Sequence, residues 1–564
     1  MQFDLFTQEV LFFMNIKYTE KGAVMVLTAL IAVSMTACEN KISKAETSAV
    51  GTVSLSMGRQ TLQNVKLPDG DTYENNAYTR MADKELNIKI TDAFEANGDD
   101  YDRQVSLALS SGDLPDIMKV GSLDEVKELY DNGLIADLTE VYNKDASNNL
   151  KAIYNSYNGR ALDNVTYDGK IMALPGTNVD SGPSIVWVRS DWVKKLGITL
   201  DADGDRCITV AELKNLAKDF LKENPGKTEH PVGIAVTPYL TSGDPDGTYT
   251  INSIAYAFNA FPKTWYKKDG KLIYGSTTAT MKTALTTVAA WYKEGIIDEQ
   301  VGTRTWDDIT ALLANGQTGI TFGTWHIPDW LLKNVYAMDP KAIFSTYTVE
   351  NDDGVVNCKH NNATSGYMVV NKSFAHPEIV VQLADLFYDK LVNDPSLLQK
   401  YPDVASYIKD GVDGSARPMN IEINASTSLM DDYSDLEKCL SGKIPIDKVK
   451  TAEQRSNVTA IKGYLNGDAD PIGWSKYHSR IGGLGLIKKL EDGGKITWLT
   501  PEFPSTTDTM KTNQANLDKL EEERFIKIVT GGLDVNKEFD KFVSDWKEQG
   551  GSKITEEIEA QLHK

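Results

Sequence analysis

The chain has 564 residues, of which 41% are hydrophobic and 25% are charged, a composition typical of soluble globular proteins rather than of disordered or fibrous ones. This length exceeds what one hydrophobic core normally serves, so we expect two or more lobes. The 80 acidic and 59 basic residues give a formal net charge of −21, which repels phosphate backbones and argues against nucleic acid as a partner.

The first 37 residues have the features of an export signal. Lys17 and Lys21 precede the apolar run AVMVLTALIAVSM (23–35), and small residues follow it. The run is shorter than the about 20 apolar residues that a membrane-spanning helix needs. Residues 1–13 are interpreted as an extension upstream of a natural start at Met14.

Cys38 directly follows the small residues of MTAC, which resembles a bacterial lipobox, where the cysteine becomes the lipidated first residue of the mature protein. The alternative is ordinary cleavage next to a chance cysteine. We expect lipidation at Cys38, with the polar segment 38–50 as a tether to the folded body. The remaining three cysteines are far apart in the sequence, so no disulfide framework is predicted.

Strand-like and helix-like segments alternate from residue 51 onwards. LNIKI (86–90) and PDIMKV (115–120) have strand character, and the segment 102–109 between them has helical spacing. This rhythm predicts an α/β fold with parallel sheets. Residues 513–563 are predicted to be helical and charged.

A calcium loop is predicted over DADGDRCITVAE. Asp201, Asp203 and Asp205 stand at positions one, three and five, Cys207 offers a backbone carbonyl at position seven, and Glu212 is the potentially bidentate position twelve. Carboxylates this close repel one another without a cation, so we expect a structural Ca²⁺.

Two features depart from the usual loop. Position six is Arg206, where glycine normally allows a sharp turn, and Gly204 is expected to absorb the strain instead. Thr209 and Glu212 also form a capping box for a helix predicted over 211–220, an interpretation compatible with calcium binding.

Seven segments in order resemble the extracellular solute-binding proteins of family 1, the lipoprotein receptors of oligosaccharide ABC importers, and within them the alginate-binding subgroup. The segments are SLALSSGDLPDIM (106–118), NGLIADLTE (132–140), YDGKIMALP (167–175), VRSDWVKKLGI (188–198), VAAWYKEGIIDEQ (288–300), SGYMVVNKS (365–373) and FIKIVTGGLDVNKEFDKFVSDWKEQGG (525–551).

The resemblance implies an α/β, two-lobed periplasmic-binding-protein fold, with discontinuous lobes joined by a hinge and a ligand cleft between them. We expect one lobe from 51–175 plus 364–495. The other comprises 176–363 plus 496–564 and carries the calcium loop at 201–212.

The resemblance also implies ligand-binding positions. Trp325 is predicted to follow a strand end, where α/β clefts bind ligands, and matches a tryptophan that lines the sugar cleft of relatives; His326 is adjacent. Trp474 and Tyr477, in PIGWSKYHSR, resemble the aromatic loop that supplies another stacking surface.

Polar candidates are Asn75 and Asn76 in TYENNAY, which resembles a loop that contacts sugar hydroxyls, and Asp180 after the hinge-like strand KIMALP. A basic patch in the cleft would draw on three arginines: Arg189, Arg304 and Arg480. Asp113 and Asp116 straddle a proline at a strand start, so they are interpreted as structural rather than as a glycosidase pair.

The leading interpretation is a lipid-anchored, monomeric receptor, not an enzyme, that captures an oligosaccharide outside the cell by hinge closure and delivers it to a membrane permease. No catalytic residue is predicted. One alternative is an exported calcium-dependent polysaccharide-degrading enzyme, and another is the same receptor role for a peptide or other small solute. The sugar's identity, length and charge stay open.

Overall fold

A computed structural model of the chain describes residues 51–62, 66–245, 247–410, 412 and 414–562. The predicted export signal, Cys38 and the tether up to residue 50 lie outside these residues. Residues 52–564 form one compact unit by their contacts. No helix among the described residues is long and apolar enough to cross a membrane.

The strands are β1 Val53–Thr61, β2 Ile88–Asn97, β3 Ile117–Val120, β4 Thr166–Tyr167, β5 Lys170–Ile171, β6 Leu174–Thr177, β7 Ile185–Arg189, β8 Cys207–Ile208, β9 Trp265–Lys268, β10 Lys271–Tyr274, β11 Ile320–Gly323, β12 Phe344–Val349, β13 Val356–Lys359, β14 Thr364–Val370 and β15 Ile496–Leu499.

The α-helices are α1 Ala77–Leu86, α2 Gly98–Ser111, α3 Leu123–Asp131, α4 Thr139–Asp145, α5 Asn148–Asn155, α6 Arg160–Asp163, α7 Ser190–Leu196, α8 Val210–Glu223, α9 Asn252–Ala257, α10 Ala279–Lys293, α11 Trp306–Ala314, α12 Lys333–Met338, α13 Glu378–Asp385, α14 Leu391–Asn393, α15 Pro395–Lys400, α16 Pro402–Asp410, α17 Ser428–Leu440, α18 Ala452–Leu465, α19 Pro471–Lys476, α20 Gly485–Asp492, α21 Asp508–Thr530, α22 Val535–Trp546 and α23 Ser552–Leu562.

The first sheet has the strand order β2-β1-β3-β14-β6. Alternate residues of β14 pack into different cores: Met368 and Val370 lie in the core that contains α1 and α13. Tyr367 and Val369 lie in the core that contains α2 and α3. Because side chains alternate across a strand, this separation shows a sheet covered by helices on both faces.

The second sheet has the order β11-β7-β12-β8. All five residues of β7 are buried. Val186 and Val188 lie in the core with α8, α10 and the C-terminal helices, whereas Ile185 and Trp187 lie in the core with α12 and α20. Two helix-covered sheets confirm the α/β expectation of more than one core.

Strand directions differ from the expected parallel sheets. In the first sheet β1 runs parallel to β2 and β3, but β14 is antiparallel to β3 and β6. In the second sheet β7 is antiparallel to both β11 and β12. The chain reaches β14 only after it has formed the second sheet, and β14 then runs through the first sheet opposite to its neighbours β3 and β6.

The chain passes between the sheets through 178–184, which links β6 to β7, and returns through the segment that leads from β12 to β14. The exact lobe boundaries stay a prediction. One segment differs from the expectation for 364–495: α19 and α20 pack in the core of the second sheet with Ile185 and Trp187, instead of on the first. Trp474 of α19 and Leu486, Ile487 and Leu490 of α20 are the residues buried in that core.

A buried carboxyl group lies in α21. Glu521 is 1% exposed, and its oxygens accept hydrogen bonds from the hydroxyls of Thr241, Ser276 and Tyr274 at 3.3, 3.0 and 3.1 Å. Burial raises the pKa of Glu521 from the ordinary 4.5 to about 7. The folded protein therefore holds this proton more tightly than the unfolded chain does.

We expect Glu521→Gln to remove a pH dependence of stability. With a raised folded pKa, the contribution of Glu521 is fully present below about pH 4.5 and is lost as the pH rises through about 7. The variant should match the wild type at pH 4.5 and exceed its free energy of unfolding at pH 8 by up to about 3 kcal/mol. Urea unfolding at both pH values measures this difference. The control is Glu523→Gln on the exposed side of α21, and equal pH slopes for the two variants would contradict the assignment.

Candidate functional site

Trp325 lies two residues beyond the end of β11 and is half-buried. The guanidinium carbon of Arg480 lies 5.2 Å from its ring centroid, a cation–π distance. Gly483 packs against its backbone, where a Cβ atom would lie 2.6 Å from the Trp325 carbonyl oxygen. Only glycine allows this approach, so the sequence of the Arg480 segment fixes the position of the indole.

The two segments that hold Trp325 are π-helical. Pro328–Leu332 begins three residues after Trp325, and Tyr477–Leu484 carries Arg480 and Gly483. Such turns are rare and occur frequently at functional sites. The strand-end placement expected for Trp325 is present.

Charges converge beside Trp325. The carboxylate of Asp329 pairs with Arg480, accepts a hydrogen bond from Ser479 at 3.1 Å and lies 3.2 Å from the ammonium group of Lys476. Two cations thus share one carboxylate in an otherwise acidic protein. Of the three arginines considered, Arg480 contributes here, whereas Arg189 pairs with Asp191 and Asp339 and Arg304 pairs with Asp298.

His326 is half-buried beside Trp325, with the ring centroids 5.0 Å apart in an edge-on arrangement. Its Nδ1 lies 3.3 Å from the Thr324 hydroxyl, and burial lowers the pKa of His326 below the ordinary value of 6.5. A neutral imidazole presents one donor and one acceptor, which is suited to a hydroxyl partner.

Trp474 is a core residue rather than a stacking surface in this structure, which corrects the expectation. It is 0% exposed, stacks on Tyr336 at 5.0 Å and 14°, and lies 4.2 Å from the ring of His478. Tyr477 is half-buried and packs against Tyr464 at 5.3 Å. The local pattern PIGWSKYHSR places the aromatics in a helix, and α19 turns its tryptophan inwards.

Asn76 caps α1 instead of facing a ligand. It is 0% exposed, accepts from the backbone N–H groups of Tyr78 and Thr79, and donates to the carbonyl of Ala416 at 3.0 Å. Its polar atoms are therefore satisfied within the fold, a further correction. Asn75 is exposed, and its side-chain oxygen accepts from Arg80 at 3.2 Å.

Asp180 lies in the 178–184 connection and binds the returning segment. Its carboxylate contacts Nδ1 of His360 at 2.7 Å, accepts from the Asn361 backbone N–H at 2.7 Å and lies 3.9 Å from Arg160. The His360 ring stacks on Trp498 at 4.6 Å. Asp180 thus connects the two segments that pass between the sheets, whereas the sequence suggested it only as a polar candidate.

The acids of the predicted calcium loop converge in part. Carboxylate oxygens of Asp201, Asp203 and Asp205 lie within 4.8 Å of one another, which fits the oxygen ligands that Ca²⁺ prefers. Glu212 is outside this cluster, since its carboxylate accepts from the N–H and hydroxyl of Thr209 in the capping box at 2.8 Å. Three of the five expected ligands are therefore brought together by their side chains.

The loop backbone explains the departure at position six. Arg206 itself adopts a left-handed φ of 72°, and Gly204 has a φ of 75°. The N–H of Arg206 donates to the Asp201 carboxylate at 3.0 Å, and its guanidinium lies 5.6 Å from the Tyr347 ring. These contacts offset the conformational cost of about 1–2 kcal/mol that a non-glycine residue has in the left-handed region of backbone space.

A second group of side chains adjoins the loop. Asp205 and Glu350 lie with the buried thiol of Cys207, within 4.8 Å of one another, and Lys495 lies 2.9 Å from the Asp205 carboxylate. Burial raises the pKa of Cys207 to about 11, so its thiol stays protonated at neutral pH. The expected calcium ligand of Cys207 is therefore still its backbone carbonyl oxygen. The ammonium group of Lys495 would compete with a bound cation for the carboxylate of Asp205.

Truncating Trp474 should destabilise the fold. We expect Trp474→Ala to lower the free energy of unfolding by about 3–5 kcal/mol, because a fully buried indole leaves a cavity. Urea denaturation measures this value. Tyr477→Ala, at the half-buried neighbour, is the control and should cost less. Equal small losses for both variants would show that Trp474 does not belong to the core.

Calcium should raise the melting temperature of the wild type. At a hundredfold excess over its Kd, Ca²⁺ adds about 2.7 kcal/mol of stability. Asp201→Asn should remove the shift, since asparagine tolerates the left-handed φ of 59° but lacks the charge. Asp269→Asn, at a φ of 51° in the β9–β10 turn, is the matched control. Identical shifts in both variants would exclude the loop as the site.

Comparisons with known proteins place these features in a family. The profile of the bacterial extracellular solute-binding proteins matches residues 66–390. The polygalacturonan/rhamnogalacturonan-binding protein YtcQ of Bacillus subtilis is 22% identical over 463 residues, which cover 81% of this chain and 82% of that protein.

Two solved structures share the fold. Alginate-binding protein AlgQ2, crystallised without calcium ion, has a TM-score of 0.53 at 17% identity and covers 92% of this chain and 99% of its own. An EF-hand mutant of the substrate-binding protein FusA from S. pneumoniae, in complex with fructo-nystose, has a TM-score of 0.53 at 17% identity, with coverages of 90% and 99%. The two-lobed α/β fold is thereby confirmed. Since the family profile spans more than half of the sequence, the chain belongs to the bacterial extracellular solute-binding proteins.

Proposed function

We propose that the chain is the solute receptor of an ABC importer and that its solute is an oligosaccharide. The observation that carries the proposal is Trp325, an indole fixed at the end of β11 by Arg480 and Gly483. An aromatic face held rigidly at a strand end binds the apolar face of a sugar ring with little loss of conformational entropy.

The polar groups beside Trp325 have the chemistry that sugar hydroxyls require. Lys476 and Arg480 supply donors, Asp329 supplies acceptors, and His326 supplies one of each. Because two cations surround one carboxylate, the same arrangement also accommodates a uronate. Ligand sites usually combine an aromatic surface with a small number of polar groups, as this one does.

The names of the relatives support a saccharide. YtcQ is described as binding polygalacturonan and rhamnogalacturonan, AlgQ2 as binding alginate, and FusA was crystallised with fructo-nystose. These ligands differ in charge and ring type but are all carbohydrate chains. We therefore propose the ligand class, a chain of sugar rings, and leave its monomers to experiment.

Capture would proceed by closure of the two lobes, each built around one of the sheets, on the ligand between them. The connections between the sheets are 178–184 and the segment from β12 to β14, tied to each other by Asp180. Hinges of this kind absorb large backbone changes in a few residues while the packed lobes move as bodies. Asp180 is thus proposed as a positioning residue of the hinge rather than as a ligand contact.

The proposal extends to location and cofactor. Cys38, which lies outside the described residues, would carry the lipid that holds a monomeric receptor at the extracytoplasmic face, next to the permease. Ca²⁺ bound at Asp201, Asp203 and Asp205 would stiffen the connection between α7 and α8. Its role would be structural, since the loop lies between two helices of one lobe.

A binding assay tests the receptor role. The purified chain without residues 1–37 is titrated calorimetrically with alginate, polygalacturonan, rhamnogalacturonan and fructan fragments, and with peptides, all in the presence of calcium. We expect one saccharide class to bind and to be recovered intact. Trp325→Ala should weaken its affinity by tenfold or more, corresponding to about 1.4 kcal/mol.

Tyr292→Ala, a half-buried aromatic on α10, is the matched control and should bind as the wild type does. Binding of peptides alone would contradict the saccharide class. A cleaved glycan in the recovered sample would instead support the enzyme alternative.

A further inference from the structure

Two tryptophans of the second lobe are unusually exposed. Trp306 is 41% exposed and Trp330 is 39% exposed. Their ring centroids are 5.8 Å apart and their planes differ by 23°, so the two indoles form one near-parallel aromatic surface. Indoles are normally highly buried, so two exposed indoles in contact form an apolar surface that is suited to a binding partner.

Trp306 is held in a fixed orientation. It is the first residue of α11, which Thr305 and Asp308 cap reciprocally. Its indole N–H donates to the hydroxyl of Tyr239 at 2.8 Å, and the fully buried Tyr249 supports its ring edge-on at 5.0 Å. A side chain that is fixed before binding loses little entropy when a ligand stacks on it.

Trp330 is anchored through its neighbours. It stands in the π-helical segment Pro328–Leu332, between Leu331, which is 1% exposed, and Asp329, which pairs with Arg480. The same ion pair that positions Trp325 therefore also positions Trp330.

The pair lies at the same end of β11 as Trp325. Tyr249, beneath Trp306, donates its backbone N–H to Phe322 in β11 at 3.3 Å. Trp330 follows Trp325 by five residues, which limits their Cα separation to about 18 Å. One oligosaccharide of several rings is long enough to reach from Trp325 to the pair.

We propose that Trp306 and Trp330 form a second saccharide subsite, which stacks on the outer rings of a chain whose inner rings occupy the site at Trp325. The subsite rests on the proposed function and adds a length preference to it. Its ligand is a sugar ring presented by its apolar face, with the Tyr239 hydroxyl available to a ring hydroxyl. The inner site alone binds short chains, and both sites together bind long ones more tightly.

A length series tests the subsite. Short and long fragments of alginate, polygalacturonan, rhamnogalacturonan and fructan are titrated calorimetrically into the wild type and into a Trp306→Ala/Trp330→Ala double variant. We expect the wild type to favour long fragments of the class that binds, and the double variant to lose about tenfold in affinity for them. Its affinity for short fragments should be unchanged, which also shows that the variant is folded.

Leu533→Ala, which truncates a residue of equal exposure (41%) between α21 and α22, is the matched control and should bind every fragment as the wild type does. Unchanged affinity of the double variant for long fragments would overturn the subsite while the receptor role stands. Equal loss for short and long fragments would also overturn it, because the pair would then belong to the inner site. Failure of the wild type to bind any fragment would instead overturn the proposed function itself, and the subsite with it.

Discussion

The geometry of the candidate site depends on the ion pair between Arg480 and Asp329. It joins two π-helical segments that are about 150 positions apart in the sequence. On one side it places the guanidinium over Trp325, and on the other it anchors the segment that carries Trp330. Removing Asp329 would leave both Arg480 and Lys476 without their carboxylate partner, and the loss of one partner of a largely buried pair typically costs about 3–5 kcal/mol.

The packing of α19 and α20 determines where this ion pair lies. Both helices belong by sequence to the stretch after β14, yet they pack on the second sheet. The Arg480 segment between them is therefore brought to the β11 edge, where Trp325 begins its turn. The surface around Trp325 is thus assembled from two distant parts of the chain, and the contacts of Asp180 lie where the chain passes between the sheets.

The sequence predicted the features that are local. Trp325 beyond a strand end, the helical C-terminus, the capping box at Thr209 and the acidic spacing of 201–205 follow from short patterns, and the family resemblance supplied the two-lobed fold. Whether α19 turns Trp474 to the core or to a cleft depends on which sheet the helix packs against, and no local pattern contains that information. The same is true of Gly483, whose need for glycine arises only from the approach of Trp325.

Polar residues that suit two roles present a related difficulty. Asn76 and Glu212 are suited both to ligand binding and to helix capping, and in each case the nearby backbone N–H groups are the partners that the fold supplies. Trp306 and Trp330 lie in different segments, so their stacking could not be inferred from spacing. Only the arrangement of α11 beside the Pro328–Leu332 segment brings them together.

The discontinuous first sheet has a consequence for how the protein matures. Met368 of β14 pairs with Leu174 of β6, about 190 positions earlier in the sequence, and β14 is also the strand that joins β6 to β3. A chain emerging from its N-terminus cannot complete this sheet until all strands of the second sheet have emerged. Until then β3 and β6 present unpaired edges, which are prone to aggregation. Late closure of such a long-range pairing makes folding slow and keeps these edges in the N-terminal third of the chain exposed for longer.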